Sequence, residues 1–222
     1  SSDLRWSSTG VNLQNIARPT LDPEWCINTL SHGELALFQM TDTDPMEALS
    51  SSVRGMLIPE DGHKFIVGDY SSIEARALAW LAGQKDKQEI FKGHGKIYED
   101  AASKIFQIPI SEVTKEQRFL GKISELACGY QGGAGAFKLM AKVYGIDIPH
   151  REAEKIKQQW RKANPKIVQF WYACDKAVSG CIQDGEVHTV GRVKYVVSNN
   201  FLMCRLPSGR TLYYYHPKVS YK

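Results

Sequence analysis

Residues 65–76 read Phe65-Ile66-Val67-Gly68-Asp69-Tyr70-Ser71-Ser72-Ile73-Glu74-Ala75-Arg76. An apolar, largely β-branched run leads into Asp69, and an alanine- and leucine-rich segment follows over residues 75–82. This order predicts a buried strand over residues 64–68, a turn at Asp69 and then a helix. A carboxylate at the end of such a strand suits Mg²⁺, which prefers one or two protein carboxylates together with substrate phosphates. The alternative is that Asp69 only caps the helix after it.

A second informative segment, residues 115–130, predicts a helix with two different faces. Four side chains recur at intervals of four residues: Arg118, Lys122, Leu126 and Tyr130. Each step of four residues turns only about 40° further around a helix, so these side chains form one slowly spiralling stripe. The stripe is cationic at its start and apolar or aromatic at its end, the same polarity as a nucleoside triphosphate. The alternative is an ordinary amphipathic helix with a basic outer face.

Together the two segments resemble motifs of the family A DNA polymerases, the relatives of bacterial DNA polymerase I. Asp69-Tyr70-Ser71-x-Ile73-Glu74-x-Arg76 is similar to the first palm motif of that family. Arg-x-x-x-Lys-x-x-x-x-x-x-x-Tyr, which runs from Arg118 to Tyr130, is similar to the fingers helix. Residues 79–83 are similar to phage and prophage members. The resemblance spans nearly the whole chain and is strongest between residues 5 and 130.

The resemblance implies roles for the residues of the first motif. Asp69 would be a catalytic residue that binds both Mg²⁺ ions, and the backbone carbonyl of Tyr70 would help to hold one of them. Glu74 would occupy the place of a ribose 2′-hydroxyl, which implies that deoxynucleotides are the substrates.

The resemblance also assigns nucleotide contacts in the fingers. Arg118 and Lys122 would hold the phosphates, with Lys122 also catalytic, and Tyr130 would lie near the templating base. Leu126 replaces an aromatic residue at a nucleotide-binding position, and Gln131 replaces a glycine. Tyr98 aligns with a position that often carries a phosphate-binding histidine; its hydroxyl can donate a hydrogen bond but carries no positive charge.

The first 20 residues are rich in Ser, Thr, Asn and Arg and predict a loop. By resemblance, three of them contact the template–primer: Arg5, Gln14 and Asn15. The minor groove offers acceptors at every base pair, so such contacts would not depend on the DNA sequence. The alternative is a solvated arm whose polar side chains only stabilise turns.

The rest of the chain predicts an α+β fold, in which a short antiparallel sheet belongs to a partial palm and the fingers are mainly helical. The predicted domains are residues 1–84, a partial palm with its DNA-contacting segment, residues 85–183, the helical fingers, and residues 184–222, a β-hairpin region. Within them we expect a helix over residues 45–54, either a strand or a helical turn over 35–40, a hairpin over 185–198 and a strand over 211–215. Aromatic residues at helical spacing are expected to be core rather than a base-stacking platform: Trp160, Phe170, Trp171 and Tyr172.

Composition narrows the class of protein. The 222-residue chain is 43% hydrophobic and carries a net charge of +4, which is compatible with a phosphate-rich partner but is not specific for one. Its five cysteines are scattered and its six histidines lack metal-binding spacing, so neither a disulfide framework nor a zinc site is expected. It contains no membrane-spanning run and no signal peptide, so we expect a cytoplasmic protein without a membrane partner.

These observations predict template-directed DNA synthesis, with a DNA template–primer and deoxynucleoside triphosphates as partners. The sequence contains no His-Asp pair, so the second metal-binding carboxylate of the family is absent and a two-ion Mg²⁺ site would have only Asp69. We therefore expect a fragment that is inactive, or nearly so, without the remainder of the polymerase. One alternative is a catalytically silent nucleic-acid-binding module; another is a single-subunit RNA polymerase, against which Glu74 argues.

Overall fold

The computed structural model describes residues 16–33 and 35–220. The chain divides into two compact units, Ser1–Asp69 and Tyr70–Lys222. The three domains predicted above have different boundaries and stay a prediction. Among the described residues, no helix is long and apolar enough to cross a membrane.

The described part of the first unit contains three short helices: α1 (Pro23–Ser31), α2 (Leu35–Met40) and α3 (Pro45–Ser52). Asp22 and Asp44 accept hydrogen bonds from the first free backbone N–H groups of α1 and α3, and a proline follows each of them. A small core forms around Cys26, Phe38 and Ala48. The helix expected from residue 45 is confirmed. Residues 35–40, for which either a strand or a helical turn was expected, form a helix.

The strand predicted over residues 64–68 is wrong. Residues 63–70 form neither helix nor strand, and Phe65, Ile66 and Val67 are 58%, 90% and 92% exposed. A strand requires a neighbour whose N–H and C=O groups pair with its own, and none of the described segments pairs with these residues. A β-branched run has a high propensity to form a strand, but it does not provide the neighbouring strand that pairing requires. Asp69 does not cap the next helix either, because the N-cap residue there is Ser72.

In the second unit, the described residues begin with seven α-helices, and a short 3-10 helix (Ile110–Glu112) lies between the third and the fourth of them. They are α4 (Ile73–Ala82), α5 (Lys85–Lys92), α6 (Ile97–Phe106), α7 (Lys115–Cys128), α8 (Ala134–Val143), α9 (His150–Ala163) and α10 (Pro165–Asp184). Their main core includes Ile123, Phe137, Ile156 and Trp160, and the ring of Trp160 stacks on Trp171 with 5.9 Å between centroids. The core role predicted for these two tryptophans is confirmed, whereas Tyr172 is exposed.

A four-stranded antiparallel sheet completes the second unit, with strands in the order β1 (His188–Val190), β2 (Val193–Ser198), β3 (Phe201–Arg205) and β4 (Thr211–Tyr215). One face of the sheet packs on α10 through Ala177 and Cys181. The α+β class, the hairpin and the strand over residues 211–215 are confirmed. β3 was not predicted; it follows a two-residue turn at Asn199 and Asn200, both with positive φ.

A buried ion pair joins three helices of this unit. Lys87 of α5 donates to both carboxylate oxygens of Glu125 in α7, at 2.9 and 2.8 Å. Trp160 of α9 donates its indole N–H to Glu125 Oε1 at 2.8 Å, and the Lys87 ammonium lies 4.9 Å from the Trp160 ring centroid. The side chains of Lys87 and Glu125 are only 2% and 3% exposed. Each charge is therefore compensated by groups from another helix.

Cys128 is expected to be inert in the folded protein. Burial raises the pKa of its thiol to about 12, and the nearby Glu125 carboxylate adds to the shift. Because the thiolate is the reactive form, we expect no labelling of Cys128 by a disulfide reagent at pH 8, while the half-buried Cys174 reacts. Peptide mapping by mass spectrometry measures this directly, with unfolded protein as the control. Labelling of Cys128 at the rate of Cys174 would contradict the expectation.

Candidate functional site

The helix α7, which carries the predicted stripe, is stabilised at its N-terminus and buried along one face. Its N-terminus has a capping box, in which Thr114 Oγ1 accepts from the Gln117 backbone N–H at 3.2 Å and the Gln117 side chain accepts from the Thr114 backbone N–H at 3.0 Å. One face of the helix is buried, including Ile123 and Glu125. The two-faced helix is confirmed.

The four stripe residues lie outside this buried face. Arg118 is exposed, Lys122 and Leu126 are half-buried, and Tyr130 is exposed in the turn that follows the helix. The charged end of the stripe is therefore at the N-terminal half of α7 and its apolar and aromatic end at the C-terminal side. Glu125, on the buried face, ties this helix to α5 and α9.

Gly121, between Arg118 and Lys122 in α7, sets the distance to α6. A Cβ atom at Gly121 would overlap the backbone carbonyl oxygen of Tyr98 and would lie 3.1 Å from the backbone nitrogen of Ala102. Because glycine has no Cβ, the backbone of α7 lies directly against α6 at this point. This close approach brings the first turn of α6 alongside Arg118.

Arg118 contacts two neighbouring residues of α6. Its Nε donates to Glu99 Oε1 at 2.8 Å, and its guanidinium carbon lies 5.5 Å from the ring centroid of Tyr98. The Tyr98 hydroxyl accepts a hydrogen bond from Ser72 Oγ at 3.2 Å, which connects this group to the start of α4. Two residues that the sequence analysis selected separately, Tyr98 and Arg118, are thus in contact. Glu99 was missed, although it is the acidic neighbour of Tyr98 in the sequence.

The ion pair between Arg118 and Glu99 predicts a pH dependence. Burial alone would raise the pKa of Glu99, but the hydrogen bond and charge of Arg118, together with a backbone hydrogen bond, lower it below its usual 4.5. A carboxyl with a depressed folded-state pKa stabilises the protein above its unfolded pKa and loses that contribution as the pH falls through the folded value.

We therefore expect Glu99→Gln to lower the free energy of unfolding at pH 7 by about 1 kcal/mol or less, since Arg118 is half exposed. The difference between the two proteins should shrink as the pH is lowered from about 4.5. Urea unfolding of both proteins from pH 7 to pH 3 measures it. A difference that stays constant with pH would show that the Glu99 charge is not responsible.

Lys122 has a different environment. Its ammonium nitrogen lies 5.3 Å from the ring centroid of Tyr144 and 5.9 Å from that of Phe119, and these two rings meet edge to face. In the part of the chain that the structure describes, no carboxylate forms an ion pair with Lys122. Its positive charge is therefore available to an anionic ligand. Tyr144 and Phe119 were missed, because only the packing of α8 against α7 brings Tyr144 near Lys122.

The comparisons with known proteins bear on this arrangement. The family described as DNA polymerase family A matches residues 4–201, which include both motifs. The chain belongs to the family A DNA polymerases. The resemblance inferred from the two motifs is confirmed.

Individual relatives of this family A chain come from phage and bacteria. It is 36% identical over 219 residues to the DNA polymerase of Bacillus phage SP02, which covers 97% of this chain and 34% of the phage protein. It is 30% identical over 149 residues to the thermostable DNA polymerase I of Thermus aquaticus, covering 67% of this chain and 17% of that protein. The chain thus spans about a third of the length of its phage relative.

A similar solved structure is the POL domain of Pol1 from M. smegmatis in complex with DNA primer-template and dNTP. The sequence identity is 26%, the TM-score is 0.44, and the match covers 65% of this chain and 21% of that one.

The metal-binding residues predicted for this family A chain do not assemble a complete site. Asp69 is exposed at the end of the first unit, and Tyr70 is exposed at the start of the second. Among the described residues, no group of three His, Cys, Asp or Glu side chains could hold a metal ion. The described residues alone therefore do not form a two-ion Mg²⁺ site.

The remaining predicted site residues fall into two groups. Glu74 is exposed in the first turn of α4, two residues before Arg76, whose Nε donates to the backbone carbonyl of Ser71 at 2.8 Å. Arg5, Gln14 and Asn15 lie outside the described residues, and their contact with DNA stays a prediction.

Proposed function

We propose that this chain takes part in template-directed DNA synthesis, in which a primer 3′-hydroxyl attacks the α-phosphate of a deoxynucleoside triphosphate and pyrophosphate leaves. The observation that carries the proposal is the pair of cations on α7, Arg118 and Lys122, one turn apart on the open face of a helix. Membership of family A supports the reaction class. The names of the phage and bacterial relatives support the same class.

In this proposal Lys122 binds the triphosphate directly. An ammonium without a carboxylate partner donates hydrogen bonds to phosphate oxygens without first breaking an internal ion pair. The faces of Tyr144 and Phe119 hold the lysine side chain in place. Close to the reacting phosphates, the same charge would stabilise the negative charge that develops as pyrophosphate leaves, which gives Lys122 its catalytic role.

Arg118 also binds the triphosphate in this proposal, and Glu99 orients its guanidinium. Glu99 holds its Nε, which leaves the terminal nitrogens of the guanidinium to donate to phosphate. Tyr98, under the guanidinium, adds a hydroxyl that already accepts from Ser72 and can donate its own hydrogen to a phosphate oxygen. Leu126 and Tyr130, further along the stripe, would contact the sugar and the base.

Asp69 supplies one carboxylate for Mg²⁺, the metal that family A DNA polymerases generally use, and the Tyr70 carbonyl supplies a second oxygen. Glu74 excludes a 2′-hydroxyl and so selects deoxynucleotides. Arg5, Gln14 and Asn15 contact the template–primer through its minor groove.

Nucleotide binding by the 222-residue chain tests the central part of the proposal. Equilibrium dialysis with labelled dATP in the presence of Mg²⁺ should show binding that Lys122→Ala weakens about 10- to 100-fold, the size of a hydrogen bond to a charged group. Lys142→Ala, which removes an exposed lysine from α8, is the matched control and should bind as the wild type does. Equal effects of the two substitutions would contradict the proposal.

Primer extension with four deoxynucleotides and Mg²⁺ tests whether this chain completes a metal site. We expect no extension by the chain alone, because the sequence contains no His-Asp pair to supply the second metal-binding carboxylate of the family. Extension that Asp69→Ala abolishes would show that a further ligand is present and would overturn the expectation of inactivity.

A further inference from the structure

The C-terminal part of the chain, which includes the four-stranded sheet, carries an unusual charge. Residues 187–222 contain six lysines or arginines and no aspartate or glutamate. The whole chain has 28 basic and 24 acidic residues and a net charge of +4, so the rest of the chain is slightly acidic. The excess positive charge of the protein therefore lies in this segment.

The sheet has an inner and an outer face. Along β2 and β3 the buried residues alternate with less buried ones, and the buried set packs on α10: Val193, Tyr195, Leu202 and Cys204. Successive side chains of a strand point to opposite faces, so the intervening residues lie on the outer face. The strand register there pairs Lys194 with Arg205, Met203 with Tyr213 and Phe201 with Tyr215.

One end of the outer face is aromatic. Phe201 lies 6.2 Å from Tyr213 and 5.0 Å from Tyr215 between ring centroids. Tyr213 and Tyr215 are 62% and 67% exposed, although large aromatic side chains usually bury most of their surface. The three rings form an aromatic surface on the outer face of β3 and β4.

The other end of the outer face is cationic. Lys194 and Arg205 are exposed and face each other directly across β2 and β3. Like charges in this position destabilise a sheet. Within the described residues, no carboxylate forms an ion pair with either of them. Among the described residues, no paired carboxylate offsets this repulsion, and an external polyanion would relieve it.

We propose that the outer face of β2–β4 binds single-stranded DNA. Lys194 and Arg205 would contact phosphates, while Tyr213, Tyr215 and Phe201 would stack on unpaired bases, the two kinds of contact that single-strand-binding surfaces combine. A duplex would satisfy the cations but not the rings, because its bases are already stacked on one another. The choice of DNA rests on the proposed function; the surface itself uses neither α7 nor Asp69.

Fluorescence anisotropy with a labelled 20-nucleotide oligo(dT) tests the aromatic contacts. The buffer contains EDTA and no nucleotide, so the outcome is separate from that of nucleotide binding by α7. We expect Tyr213→Ala with Tyr215→Ala to weaken binding at least about tenfold and the corresponding phenylalanine variants to bind as the wild type does. Tyr172→Ala, which removes an exposed tyrosine from α10, is the matched control and should have no effect.

A salt titration tests the cationic contacts and does not depend on the aromatic variants folding. Replacing Lys194 and Arg205 by glutamine should weaken binding and reduce the slope of log K against log salt by about 1.4, the value for two phosphates of a single strand. Lys155→Gln with Lys176→Gln removes two exposed lysines elsewhere and should leave that slope unchanged. The proposal is overturned if the sheet variants bind like their controls, if a 20-base-pair duplex binds as tightly, or if polyglutamate competes as well as unlabelled oligo(dT).

Discussion

Lys87→Met is expected to lower the free energy of unfolding by about 3–5 kcal/mol, because it leaves the Glu125 carboxylate buried without its counter-charge. Methionine fills a similar volume, so the loss reports the missing charge more than a cavity. The pair joins α5 to α7, and Trp160 of α9 donates to the same carboxylate. Equilibrium unfolding in urea measures the change.

The double variant Lys87→Met with Glu125→Gln provides the decisive comparison. Glutamine keeps an acceptor for the Trp160 indole, while the uncompensated charge is gone, so most of the lost stability should return. Lys92→Met is the matched control: its ion pair with Glu89 has side chains 70% and 67% exposed, and we expect a change below about 0.5 kcal/mol. If the single and double variants are equally unstable, the charge of Glu125 is not the cause.

Gly121→Ala is expected to lower the free energy of unfolding by about 3 kcal/mol. The new methyl group would overlap the Tyr98 carbonyl oxygen and press on Ala102, and backbone atoms cannot move aside as the end of a flexible side chain can. The helices would have to separate, which would also change the contact between Arg118 and Glu99. We therefore expect weaker dATP binding in the same variant.

Gly135→Ala is the control for this substitution. Gly135 lies in the first turn of α8 with open space around the position of a Cβ atom. Alanine favours a helix over glycine, so this change should raise the free energy of unfolding by up to about 1 kcal/mol. Thermal unfolding of the two variants side by side measures both effects. Similar changes in the two proteins would contradict the close contact between α6 and α7.

The two motifs show how much of the secondary structure of this protein residue order predicts. The stripe on α7 was predicted correctly, because a spacing of four residues places side chains on one side of any helix. The strand expected before Asp69 was predicted wrongly, because strand formation depends on a partner strand that adjacent residues do not specify. β3 could have been found from Asn199 and Asn200, a pair that favours the positive φ angles of a tight hairpin turn.

The surroundings of the candidate site could not be predicted in the same way. The contact of Arg118 with Glu99 depends on a close approach of two helices at Gly121, and that of Lys122 with Tyr144 depends on the packing of α8 against α7. The sequence separation of the residues in each pair says nothing about these distances.

Residue order alone determined what is local in this chain: the start of the helix at Pro45, the stripe on α7 and the family to which both motifs belong. The tertiary structure decided which charges are paired. It buries Lys87 against Glu125, holds Arg118 on Glu99, leaves Lys122 over two rings and sets Lys194 opposite Arg205. The reason is that an electrostatic interaction depends on distance and on exclusion of water, and both arise only when separate segments pack together.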